Sequence, residues 1–141
     1  MEQLQQLIGH DAAFTKAYGF VVTEVTAGSC MLAVPHLPQF DRPGGIVSGQ
    51  VLMTAADVAM WLAIKTLRGL DDPSVTSHMQ THFLESVRRE PFTCRATVIK
   101  LGRRTTFGTA ECLSPSGVLL AHHTLTWVMP PTAMNEPTTA K

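Results

Sequence analysis

The sequence predicts an α+β protein in which one long, buried helix is wrapped by an antiparallel sheet. Residues 49–68, GQVLMTAADVAMWLAIKTLR, contain no proline and no glycine after Gly49. Their apolar side chains run almost all the way round, so the helix they form must be covered on most faces. Four strand-like runs follow, at about 74–87, 92–102, 104–113 and 118–129. The turn sequences between them are Arg89-Glu90-Pro91, Gly102 and Ser114-Pro115-Ser116-Gly117, and turns this short predict an antiparallel meander. The chain is 141 residues long, 45% hydrophobic and 16% charged, which suits one domain with a filled core.

Each element has a local reason. Leu4, Leu7, Ile8, Phe14 and Ala17 fall at roughly helical spacing, predicting a short amphipathic helix within 3–18, with Asp11 placed to cap a second segment after Gly9. Between Gly19 and His36, Val21, Val22, Val25, Cys30, Leu32 and Val34 favour strand, and Ala27-Gly28-Ser29 carries turn chemistry, predicting a hairpin. Residues 37–45, LPQFDRPGG, concentrate proline and glycine and predict a loop. The helix and the four strands come next. From Pro130 onward there is no apolar periodicity and there are three prolines, so a single domain over 1–129 with a flexible tail at 130–141 is expected.

Composition narrows the function. Lys plus Arg number 11 and Asp plus Glu number 11, giving zero net charge; without a basic field, no nucleic-acid partner is expected. So little charge leaves an apolar excess that is best buried between subunits, which predicts an oligomer. Cys30, Cys94 and Cys112 are odd in number and lack CxxC spacing, so neither a disulfide framework nor a zinc knuckle is expected. A reducing, cytoplasmic setting follows. The N-terminal run MEQLQQLIGHDAAF has no basic region followed by an apolar one, so no secretory signal is expected. Thr54, Asp57, Lys65 and Thr66 interrupt the longest apolar stretch, and no membrane span is expected.

The residue that calls for a reason is Asp57, a carboxylate in the most apolar helix of the chain. Asp is a poor mid-helix residue and is rarely buried without a partner. One account makes it a structural group that bonds a neighbouring loop or pairs with a base across an interface. The other makes it a general base or nucleophile whose pKa is raised by desolvation. Ahead of it, Arg42-Pro43-Gly44-Gly45-Ile46-Val47-Ser48-Gly49 runs straight into the helix. Free N–H groups and the positive end of the helix dipole meet there, suiting an oxyanion on an ester or thioester carbonyl. The same glycines could serve only to make the turn.

His78 and His82 share a strand face, but no third ligand stands at recognisable spacing, so no metal is expected. His122 and His123 are neighbours on a strand, face opposite ways, and are assigned to structure.

The stretches RPGGIVSGQVLMTAADVAM, VTSHMQTHFLESV at 75–87 and KLGRRTTFGTAE at 100–111 resemble, in order and spacing, the hotdog-fold acyl-CoA thioesterases of the phenylacetate-pathway, PaaI-like type. The resemblance covers about residues 15–129. That family opens its central helix with His-Gly-Gly and places an Asp or Glu nine residues after the His. Here the run is Ser48-Gly49-Gln50, and Asp57 stands nine residues after Ser48; the family's His and second Gly are absent. The resemblance implies Asp57 as the catalytic carboxylate, the Gly49 N–H as the group that polarises the carbonyl, and Thr76 as the hydroxyl that places the attacking water. Ser48 stands in the His position, where its hydroxyl can still donate a hydrogen bond.

It further implies an acyl-CoA substrate, with coenzyme A as part of the substrate and no separate cofactor, and a homodimer or dimer of dimers with its sites at the interface. Gln50 falls beside the site. Arg103 and Arg104 at a turn could hold the phosphates of coenzyme A or simply be solvated. Trp61 and Phe83, with Met53 and Met60, could line an acyl pocket or simply be core. Asp41 is near the position of an upstream water-positioning residue, a role left unassigned.

One geometric point is independent of the resemblance. Gly49 and Asp57 are eight residues apart on one helix, roughly 12 Å along its axis at 1.5 Å per residue. One carbonyl cannot touch both within a subunit, so a shared site needs Gly49 of one copy and Asp57 of another. Two alternatives remain. A non-catalytic acyl-CoA-binding protein would retain the fold without the chemistry. A hotdog dehydratase would need its His near Asp41 and its carboxylate at Thr54, and has neither.

Overall fold

The computed structural model describes residues 1–131, and the expected tail from 132 onward lies outside the described residues. The chain opens with α1 (Glu2–Gln6), a π-helical turn (Leu7–Asp11) and α2 (Ala13–Lys16). Leu4 and Ile8 are buried. Asp11 does not cap α2: Ala12 occupies that position, and Asp11 accepts contacts from His10 Nδ1 at 3.2 Å and Gln6 Nε2 at 3.4 Å in the preceding turn. A second departure is Phe14, which is 68% exposed although it matches the apolar spacing.

The hairpin is β1 (Val21–Thr26) and β2 (Ser29–Val34). Its two-residue link needs Gly28, whose φ of +82° costs a side-chain-bearing residue strain. The expected loop at 37–45 holds a 3-10 turn (Pro38–Phe40) and the start of a small hairpin of β3 (Asp41–Arg42) and β4 (Ile46–Val47), which turns through Gly44 and Gly45 at φ +101° and +75°. α3 (Gly49–Arg68) follows. By length and composition alone α3 could cross a membrane, so its four polar interruptions do not exclude that. Its apolarity is accounted for by the core instead: Ala55, Ala56, Ala59, Met60, Leu62 and Ala63 are fully buried within this chain.

β5 (Val75–Phe83), β6 (Phe92–Leu101), β7 (Thr105–Leu113) and β8 (Leu119–Val128) complete a six-stranded antiparallel sheet in the order β1-β2-β6-β7-β8-β5. This is the expected helix wrapped by a curved sheet. The expected meander holds only for β6, β7 and β8. β5 ends at Phe83 rather than near 87, leaving eight residues before β6, longer than a hairpin turn, so the chain crosses and β5 pairs with β8 at the sheet edge. In the crossing segment Val87 is buried and its carbonyl accepts from Val47 N–H at 2.8 Å, tying it to the loop before α3.

The helix sits close on the sheet because β7 carries Gly108 beneath Met60: a Cβ there would lie 2.5 Å from the Thr97 carbonyl oxygen and collide with the Met60 methyl. Lys65, buried at the far end of α3, donates to the carbonyls of Leu70 at 2.8 Å and Asp72 at 3.1 Å. It thereby closes the turn that launches β5.

Candidate functional site

α3 presents Gly49, Met53, Asp57 and Trp61 at four-residue steps, a single stripe on one helix face. The stripe runs beside β5, and a cavity lies at each end of it. Around Asp57 a space of about 350 Å³ is walled by Phe14, Val58, Trp61, Val75, Thr76 and Trp127. Around Gly49 a space of about 360 Å³ is walled by Val47, Leu52, Phe83, Leu84 and Val87, with Arg42 at its rim.

Asp57 is half-buried, and the Thr76 hydroxyl donates to its Oδ1 at 2.7 Å. Burial pushes the Asp57 carboxyl above its ordinary range, while the Thr76 hydrogen bond opposes that rise. A carboxylate made more basic in this way and held by one hydroxyl can take a proton near neutral pH. The structural account of Asp57 expected a loop or a base as its partner; the partner found is a strand hydroxyl.

At the other end Ser48 is the N-cap of α3, its Oγ accepting from the Gln50 N–H at 3.3 Å. The Gly49 N–H, in the first turn, has no intrahelical acceptor. A Cβ at Gly49 would lie 2.9 Å from the Phe83 ring, so glycine admits the ring over the helix end. Phe83 itself is 53% exposed. Ser48 and Gln50 line a separate cavity of about 330 Å³ with Tyr18 and Phe40. The structure thus groups Asp57 with Thr76 and Trp61, groups Gly49 with Phe83, and sets Ser48 and Gln50 apart from both. Asp41 is held by His36, Nε2 to Oδ1 at 3.0 Å.

Arg103 and Arg104 are exposed at the β6–β7 turn, at the end of the sheet where Thr76, Trp127 and Thr106 stand in register. Arg68 donates to the carbonyl of Gly102 in that turn. Lys65 Nζ lies 5.1 Å from the centre of the Trp61 ring, a cation–π contact that fixes the ring at the cavity wall. His122 faces outward beside His82 and lies 3.3 Å from Glu111. His123 is fully buried, its Nδ1 2.8 Å from the Thr81 hydroxyl and its Nε2 3.6 Å from Cys112 Sγ. Burial, then His122 and His82, lower its pKa to about 4. The three cysteines are buried and free, and burial raises Cys30 to about 11, far from thiolate reactivity.

Phe14 and Trp127 are the wall residues that sequence reasoning missed. An inward Trp was visible in the alternation of β8, but nothing local marked it as neighbour to Asp57.

The family model described as "Thioesterase superfamily" matches residues 44–121, from the glycine loop into β8. A Saccharolobus solfataricus protein described as "Putative esterase" is 33% identical over 129 residues, 92% of this chain and 85% of that one. A second protein of that organism and description is 31% identical over 81 residues, so the match spans little more than half of each, 57%. Among solved structures, a mutant of the phenylacetic acid degradation protein PaaI from Thermus thermophilus superposes with a TM-score of 0.76 at 27% identity, over 84% of this chain and 100% of that one. PaaI of the E. coli phenylacetic acid degradation operon shares the fold, with a TM-score of 0.82 at 18% identity over 92% of each.

Proposed function

The chain belongs to the thioesterase superfamily and has the PaaI-like hotdog fold, and from that premise we propose that it hydrolyses an acyl- or aryl-coenzyme A thioester at a site shared between two subunits. The observation that carries this is the pairing of Asp57 with Thr76 in an apolar cavity. Asp57 Oδ1 is engaged by Thr76, and Oδ2 takes a proton from water as the water oxygen attacks the thioester carbon. The carbonyl oxygen becomes an oxyanion held by the Gly49 N–H at the positive end of α3. Collapse breaks the C–S bond and releases the thiolate, whose low basicity needs no dedicated acid; the proton on Asp57 returns to solvent. Each group used is a carboxylate, a hydroxyl or a backbone amide of this chain.

The shared site follows from β5. Its one edge pairs with β8 and the other is bare, while Val75 and Phe83 on it are about half exposed. Long bare apolar edges are templates for pairing. Antiparallel pairing of two β5 strands about a two-fold axis near Gln80 sets the Thr76 end of one copy against the Phe83 end of the other. That joins the Asp57 cavity of one subunit to the Gly49 cavity of its partner and spans the roughly 12 Å that separates the two groups within a helix. Trp61 and Phe83 then wall the acyl group from opposite subunits. Arg103 and Arg104, at the Thr76 end of the sheet, are placed to meet the coenzyme A phosphates.

The test is free-thiol release from short, medium, long and aromatic acyl-CoA esters by the native protein and by Asp57→Asn. Turnover is expected to fall by at least about a hundredfold in the variant with KM little changed. Near-normal turnover removes Asp57 from the mechanism, and absence of thiol release by a folded native dimer leaves only acyl-CoA binding.

A further inference from the structure

The wall of the Asp57 cavity contains one polar group that the hydrolytic scheme does not use. Trp127, inward-facing on β8, is 5% exposed, and its indole nitrogen is buried with no acceptor within hydrogen-bond distance among the described residues. Buried N–H groups are nearly always paired, and one left orphaned beside a cavity marks where a ligand acceptor belongs. Trp127 stands in register with Thr76, so its ring adjoins the group that holds Asp57.

The other polar side chains of this wall are committed. Asp57 and Thr76 bond to each other, and the Ser74 hydroxyl donates to Asp72. Phe14, Val58, Trp61 and Val75 offer no strong acceptor. Of the ligand's oxygens, the thioester carbonyl is assigned to Gly49 and the attacking water to Asp57. An indole N–H donates and cannot accept, so its partner is an acceptor elsewhere in the acyl group.

We infer that Trp127 is a specificity-determining residue whose indole N–H receives an oxygen carried by the acyl chain beyond its thioester carbonyl, so that the site favours oxygenated acyl groups over plain ones of the same length. This rests on the thioesterase assignment above. A pocket that supplies a donor disfavours the analogue that leaves it unpaired, whereas a wholly apolar pocket separates the two poorly.

The experiment compares hexanoyl-CoA with its 3-, 4-, 5- and 6-hydroxy derivatives. At least one hydroxylated ester is expected to exceed hexanoyl-CoA about tenfold in kcat/KM, and Trp127→Phe, which keeps the ring and removes the N–H, is expected to bring that ratio to about one. A native ratio near one for all four derivatives overturns the inference, as does a preference that survives in Trp127→Phe.

A second readout needs neither turnover nor a folded variant at Trp127. The chain has two tryptophans, so Trp61→Phe assigns the two indole ¹⁵N–¹H signals of the native protein. The Trp127 signal is expected to move downfield with the hydroxyhexanoic acid of the preferred series, or with at least one of the four if no ester is hydrolysed, and to stay with hexanoic acid. Equal response to all the acids overturns the inference. Failure to hydrolyse any ester with a selective indole shift retained would refute the hydrolytic assignment and leave the donor's role standing.

Discussion

At the scale of single residues, the chemistry turns on two opposed influences on one carboxylate. Burial makes Asp57 more basic, and the Thr76 hydroxyl, by donating to the charged form, makes it less so. Thr76→Val keeps the β-branched shape suited to the strand and removes the donor, so the Asp57 pKa should rise further. The acid limb of the kcat/KM profile should then move to higher pH; a limb that stays, or moves down, would show that Thr76 does not act through Asp57.

His123 gives a prediction about stability rather than rate. Its folded pKa is about 4 against an ordinary 6.5, so between those values the unfolded chain binds a proton that the native one refuses. Its contribution is complete above pH 6.5 and is lost as pH falls toward 4, by on the order of 3 kcal/mol. His123→Asn retains an acceptor for Thr81, and its urea midpoint should fall less steeply between pH 6.5 and 4.5 than that of the native chain. Asp57 was legible in the sequence because a charge inside an apolar helix is a local anomaly. Trp127 was not, because a tryptophan on a strand is ordinary and its lack of a partner exists only once β5, β7 and α3 surround it.

At the scale of elements, the distance between helix and sheet is set by a missing side chain. Gly108 lets β7 pass under Met60 with the Thr97 carbonyl alongside, and a Cβ there meets backbone that cannot yield. Gly108→Ala should therefore destabilise by about 1–3 kcal/mol or more, an overpacking cost, read as a lower midpoint in thermal or urea unfolding. A change below about 0.5 kcal/mol would mean that α3 lifts freely. The existence and kind of most long elements could be read from periodicity, since a twenty-residue run without breakers is a helix in nearly any setting. The place of β5 could not. Strand runs and turn residues describe neighbours along the chain, whereas the eight-residue crossing from Phe83 to Phe92 is stabilised by contacts far apart in sequence, such as that of Val87 with Val47. The N-terminal segment failed for a related reason: the spacing that buried Leu4 and Ile8 also matched Phe14, which lies instead at the mouth of the Asp57 cavity.

At the scale of the molecule, the proposed site exists only if two copies complete it, and that can be decided by mixing. The Gly49 amide can be removed without destroying the helix, because position 49 is the first of α3, where proline is well tolerated. Ser48 already has the φ of −60° and ψ of 137° preferred before proline, and the Phe83 ring above Gly49 is a side chain that can turn aside. Gly49→Pro and Asp57→Asn should each abolish turnover in pure form. In a heterodimer of the two, one site combines both lesions, while the other brings together an intact Asp57 and an intact Gly49. Random reassociation of equal amounts makes half the dimers mixed, so about a quarter of native activity should return. Were both groups to act within one subunit, every site in every combination would carry a lesion and nothing would return. A recovered quarter therefore requires pairing in which the bare edge of β5 carries one subunit's Asp57 to its partner's helix end.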